Sequence, residues 1–155
     1  MSRVPIIFSG IAAAAMAASA MPIASADSHT IVRTQSGNTR CALSTTEVIC
    51  QYLPGFTQAP VEPPSNCPPP PGTYLHCTSG IHWDQAVVTA GGTFNWNNGN
   101  IPGTPQVEAN DVVLNYGQTY HVQGWSIAPT EDGTRFTNDG TGRGMFVSID
   151  NVSRF

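Results

Sequence analysis

In Thr119-Tyr-His-Val-Gln-Gly-Trp-Ser-Ile-Ala128, Tyr120 and Val122 share one parity, and Trp125 and Ile127 share the other. Side chains alternate across a strand, so apolar residues two apart line one face of a half-buried sheet. The alternation slips at Gln123-Gly124. A lone glycine within a strand pattern marks a β-bulge, and a bulge there puts all four side chains on the core side.

The same grammar continues on both sides. Glu131-Asp132-Gly133 turns the chain into Thr134–Thr137, Asn138-Asp139-Gly140 turns it again, and a last strand, Met145–Asp150, points Met145, Val147 and Ile149 inward. Upstream, Phe94 and Trp96 share a face of Thr93–Asn97, followed by the turn signal Asn98-Gly99, and Val112–Tyr116 is a further strand. Beyond the N-terminal leader described below, no stretch carries the apolar stripe of a helix. The fold class is therefore all-β, an antiparallel sandwich or small barrel of Ig-like or Greek-key type.

Four cysteines precede this region: Cys41, Cys50, Cys67 and Cys77. Folding about Thr45-Thr46 sets Leu43 opposite Val48 and Cys41 opposite Cys50. The cysteines then fall at a non-hydrogen-bonded site, where the Cα atoms approach to about 4.5 Å, within disulfide reach. Thr-Thr is a poor hairpin turn, but a four-residue loop preserves the pairing. Cys67 and Cys77 form the second pair, closing a loop stiffened by Pro68–Pro71. A zinc site of these two with His76 and His82 is disfavoured, because the close ligand pairs that preorganise zinc are missing. Residues 52–72 are a proline-rich connector in which neither a helix nor a central strand can run. Residues 27–40 are a polar N-terminal arm, and 41–155 a single stapled β domain, with the disulfide hairpin and connector ahead of the sandwich.

Residues 1–26 have one cation, Arg3, an alanine-rich apolar run and a small-residue exit at Ala24-Ser25-Ala26, the order of a cleavable secretory signal. The run is too interrupted for a membrane span, and the expected product is released outside the cell or into the envelope. It keeps five arginines against ten carboxylates and has no lysine, a formal charge of −5. Such a chain is a poor partner for nucleic acid or an anionic membrane, both of which require clustered cations.

Tyr116-Gly-Gln-Thr-Tyr120, Gly124-Trp-Ser-Ile127, Asp132-Gly-Thr-Arg-Phe-Thr-Asn138 and Thr141-Gly-Arg-Gly-Met-Phe-Val-Ser-Ile149, with the hairpin Arg40-Cys to Cys50, resemble a group of small exported mycobacterial proteins. The resemblance covers Arg40 to Phe155 with a gap at the proline tract, which holds the second cysteine pair. It implies a secreted or envelope location in an actinobacterium, and no activity or site residues.

No local motif selects an active site. Gly140-Thr-Gly-Arg-Gly144 precedes a strand rather than the helix N-terminus of a phosphate cradle, so it reads as a turn. With Asp132, Asn138 and Asp139 it suggests calcium only weakly, since the EF-hand ligand order is absent. His29, His76, His82 and His121 are scattered, no GxSxG elbow occurs, and Glu108 with Asp111 is one of several carboxylate pairs that could be nominated for glycoside hydrolysis. No cofactor is implied. Trp125 and Trp96 read as core, leaving Trp83, beside His82 and Asp84, as the candidate ligand contact. The expectation is a non-enzymatic module that binds a protein or glycan through loops or a sheet edge. Its rivals are a small secreted hydrolase, which a Ser-His-Asp set in contact would favour, and a structural envelope component.

Overall fold

Ser44 turns the cysteine hairpin with its side chain. Its Oγ accepts the amides of Thr46 (3.2 Å) and Glu47 (3.1 Å), and its own amide donates to the Glu47 carbonyl (3.0 Å). The side chain supplies the acceptor that a poor Thr-Thr turn lacks. Cys41 then faces Cys50 with Leu43 opposite Val48, and the two sulfurs are bonded across a Cα–Cα distance of 4.0 Å, as the spacing indicated.

The computed structural model describes residues 29–53, 55–62, 81–102 and 109–155. These form an all-β sandwich without a helix. The first sheet has six strands in the order β7-β6-β3-β2-β1-β8, from β1 (Thr30–Thr34), β2 (Thr39–Leu43), β3 (Glu47–Tyr52), β6 (Gln85–Thr89), β7 (Phe94–Asn97) and β8 (Val112–Leu114). The second is a meander in the order β13-β12-β11-β10-β9, from β9 (Tyr120–Val122), β10 (Trp125–Thr130), β11 (Gly133–Asn138), β12 (Gly144–Val147) and β13 (Val152–Arg154). A short ladder joins β4 (Val61–Glu62) to β5 (Ile81–His82). Between the sheets, Val32, Leu43, Val48, Val88 and Leu114 meet Trp125, Ile127, Phe136 and Met145, all fully buried, with Phe56 inserted from the segment after β3.

Several expectations are corrected in detail. Residues 30–34, read within a polar arm, are an inner strand of the first sheet. Val32 supplies the apolar contact and the flanking threonines suit a strand. The disulfide hairpin accordingly lies within the sandwich rather than ahead of it. Not every pairing is antiparallel, since β8 joins β1 in parallel. Gln123-Gly124 is not a bulge but the two-residue turn of a hairpin, with φ of 53° and 79°, the left-handed pair that suits such a turn. Trp125 pairs with Val122 and Ile127 with Tyr120, so all four side chains do share the core face. The last strand stops at Val147, where the chain turns through Ser148–Asn151 into β13, leaving Ile149 half-buried at the turn.

Asn98-Gly99 is not a hairpin turn either. It begins a connection from β7 at one edge of the first sheet to β8 at the other, roughly 24 Å across five strand spacings. Gln51 and Arg40, whose side chains point away from the core, tie its ends down. Gln51 Nε2 donates to Asp84 (2.7 Å) and the Gly99 carbonyl (2.8 Å), and Gln51 Oε1 accepts the Ile101 amide (2.9 Å). Asp84 also accepts the Gly99 amide at 3.1 Å. Arg40 grips Asp111 with two hydrogen bonds, 2.8 and 3.1 Å, and donates to the Ile101 carbonyl at 3.3 Å. Gly99 passes close to the Gln85 side-chain amide, which a Cβ would meet at 2.7 Å and push aside. Gln51→Ala removes one of the two hydrogen bonds to the buried Asp84 carboxylate and takes the partner from the Gly99 carbonyl and the Ile101 amide, and is expected to cost about 1–3 kcal/mol in urea unfolding. A loss below a few tenths would mean the connection is held by other contacts.

Candidate functional site

Four strand connections, two from each sheet, converge at one end of the sandwich: the β1–β2 turn, the exit of β8, the β10–β11 turn and the β12–β13 turn. They enclose an open cleft of about 290 Å³ whose wall includes Ser36, Asn38, Tyr116, Glu131, Asp132 and Asp150. Each connection is fixed from within. Gly37, at φ 78°, donates to the Thr34 carbonyl (2.9 Å), and the Tyr116 amide donates to Gln35 Oε1 (2.9 Å). Thr130 Oγ1 donates to the Gly133 carbonyl (2.9 Å), and Ser148 Oγ accepts the Asn151 amide (3.0 Å). The cleft is therefore shaped by rigid turns. Among the described residues, the Glu131 and Asp132 carboxylates and the Tyr116 hydroxyl have no hydrogen-bond partner in the protein, so their capacity faces the cleft and solvent.

A second opening, about 450 Å³, lies beside the edge-to-edge connection, lined by Asn38, Arg40, Gln51, Leu53, Asn100 and Ile101. Leu53 is 67% exposed there. Its strongest polar groups, Arg40 and Gln51, are already committed to Asp111, Asp84 and backbone, which leaves less for a ligand than the first cleft offers.

A Ser-His-Asp set in contact is present on the outer face of the second sheet. Ser126 Oγ lies 3.1 Å from His121 Nδ1 and donates to Asp139 Oδ1 at 2.5 Å, while His121 Nδ1 and Asp139 Oδ2 are 3.9 Å apart. The order of the bonds is wrong for nucleophilic catalysis. A serine is activated when histidine accepts its proton and the carboxylate orients the histidine. Here the one hydroxyl proton goes to Asp139, so the imidazole must donate to Ser126 through Nδ1 rather than accept from it. The histidine and aspartate side chains are 71% and 45% exposed on an open sheet face, without the water exclusion that makes such groups effective. The sequence carried a signal for this cluster: His121 and Ser126 flank Gln123-Gly124 symmetrically, so a hairpin reading pairs them, whereas a bulge reading does not.

Trp83, the candidate ligand contact, is half-buried and packs against the core, and its enclosed indole nitrogen has no hydrogen-bond partner among the described residues. Trp125 is fully buried; Trp96 packs on Phe56 and Phe94 with ring centroids 5.6 and 5.2 Å away. His82 Nδ1 pairs with the Ala59 carbonyl, and His29 is exposed. Asp111 is consumed by Arg40, while its proposed partner Glu108 lies outside the described residues, as do Cys67, Cys77, His76 and residues 1–26. The calcium set is separated by β11, whose six residues put Asp132 and Asp139 roughly 20 Å apart. Asn138 Oδ1 instead accepts the amides of Gly140 and Thr141, closing its own turn. Among the described residues no three His, Cys, Asp or Glu side chains are placed to hold a metal, and no helix is long and apolar enough to cross a membrane. Neither a protein-family model, nor a curated protein, nor a solved structure matches the chain.

Proposed function

We propose that the chain is an exported, non-enzymatic binding module of the cell exterior or envelope, and that it takes a hydroxyl-rich ligand such as a glycan in the four-turn cleft. The observation that carries this reading is the uncommitted set of Tyr116, Glu131 and Asp132 on a wall built from both sheets. Carboxylates accept hydroxyl protons, a tyrosine ring offers a face to a sugar, and rigid turns limit the ordering cost of binding. A Sec-type leader and the buried cystine agree with an oxidising destination.

Glycan-array screening of the secreted protein, followed by calorimetry on the best ligand, tests the reading. Tyr116→Ala and Asp132→Ala are each expected to weaken binding about tenfold, the equivalent of 1.4 kcal/mol. Binding that ignores both substitutions would place the site elsewhere, and no glycan binding would remove the proposed ligand class. Intact mass with and without reductant is expected to show a chain beginning at Asp27 with two disulfides. A product that begins at Met1 with four reactive thiols would defeat the assignment to the exterior. A hydrolase built on Ser126 would show ester turnover abolished by Ser126→Ala; the bond order at His121 leads us to expect no difference between the two proteins.

A further inference from the structure

We infer that β7 is a self-association edge, through which two copies of the chain join their six-stranded sheets antiparallel across a two-fold axis. β7 ends the first sheet, and residues 94–97 make no backbone hydrogen bond on their outer side among the described residues. The hairpin register fixes which groups point outward. The Thr89 amide donates to the Thr93 carbonyl at 2.9 Å, and Val87 pairs with Asn95 and Gln85 with Asn97, so the odd-numbered residues face β6. The amides and carbonyls of Phe94 and Trp96 therefore face the open edge.

Only one register uses all four outward groups of both copies within the strand. Asn95 lies opposite Asn95 on the axis, Phe94 opposite Trp96 twice, and Thr93 opposite Asn97 twice. Each Phe94–Trp96 pair exchanges two backbone bonds, four in all, and aligns aromatic side chains across the junction, where such pairs are favourable. Phe94 and Trp96 are only half-buried in the single chain, so a second copy covers them further.

The edge also lacks charge and proline, two of the usual defences. Exposed edges are blunted by charge, proline, bulges or brevity. β8 and β9 have three residues each, with Asp111 just before the one and His121 within the other, and β13 carries Arg154. β7 has neither charge nor proline, so two copies of an acidic protein meet there without like charges opposed. The contact is a single strand pair, and the dimer is expected to be weak and concentration-dependent.

Asn95→Cys tests the register directly in the full secreted chain. Asn95 is exposed on the outer face, so the fold is retained, and a non-hydrogen-bonded pair brings the Cα atoms to about 4.5 Å, within disulfide reach. Under mild oxidation Asn95→Cys is expected to give a reductant-sensitive dimer roughly tenfold faster than Asn97→Cys, whose cysteines would lie four residues out of step. A mixture of Thr93→Cys and Asn97→Cys should cross-link where neither does alone. Sedimentation of the unmodified chain should show association rising with concentration and lost in Asn95→Arg. Equal cross-linking of Asn95→Cys and Asn97→Cys, or a unmodified chain that stays monomeric at all concentrations, would overturn the inference.

Discussion

Trp125→Ala is expected to lower the unfolding free energy by about 4 kcal/mol, the largest effect of any single substitution considered. The side chain is fully buried at the centre of the core, where its removal leaves a cavity that two sheets on opposite sides can only partly close. Its indole nitrogen also donates to the Ser44 carbonyl at 2.8 Å, from the second sheet to the hairpin turn of the first. That carbonyl is available because the Ser44 hydroxyl, rather than the carbonyl, receives the Thr46 and Glu47 amides. Trp125→Phe separates the contributions: it keeps most of the apolar volume but loses the hydrogen bond and leaves Ser44 unpaired, at about 1–2 kcal/mol. Urea unfolding of both variants checks this. A cost for Trp125→Ala no larger than that for Trp125→Phe would mean that the inter-sheet bond, and not packing, dominates.

The second large effect attaches to the cystine. Cys41→Ala with Cys50→Ala is expected to cost about 3 kcal/mol, the loop-closure figure for a crosslink of this span. Both cysteines are almost completely enclosed, at 1% and 0% exposure. A thiol reagent therefore reaches the bridge only when the sandwich opens, and reduction of this bond in native conditions should track global unfolding, accelerating with urea in step with the unfolding rate. Rapid reduction without denaturant would show that β2 and β3 open locally, independently of the second sheet.

What the sequence revealed of this architecture depended on how few alternatives each segment allowed. The cysteine hairpin was legible because parity and spacing agree on a single pairing, with Leu43 and Val48 on the same face as the sulfurs. Phe94 and Trp96 were legible from alternation alone. β1 was hidden because Val32 is its only fully buried side chain and the flanking threonines fit an arm as well as a strand. The Gln123-Gly124 turn was hidden because glutamine is an unusual residue at positive φ, so a bulge at the glycine was the simpler reading. The cleft was not legible at all. Its wall comes from turns between residues 34 and 150, each readable locally, but nothing in their sequences says that all four finish at the same end of two stacked sheets.

The parallel union of β1 and β8 has a temporal consequence. Val32 meets Val112, 80 positions later, whereas the strands from Tyr120 onward pair only with their immediate neighbours. For a polypeptide that emerges amino end first, the opening strands must wait for a distant mate, and contacts of such long sequence separation form slowly. During that interval β1 has an uncapped flank, while the late meander can assemble as soon as it appears. Closure of the Cys41–Cys50 bond would keep β2 and β3 in register through the delay, so refolding from urea with this bond intact should give a higher yield of correctly assembled molecules than refolding of the reduced chain.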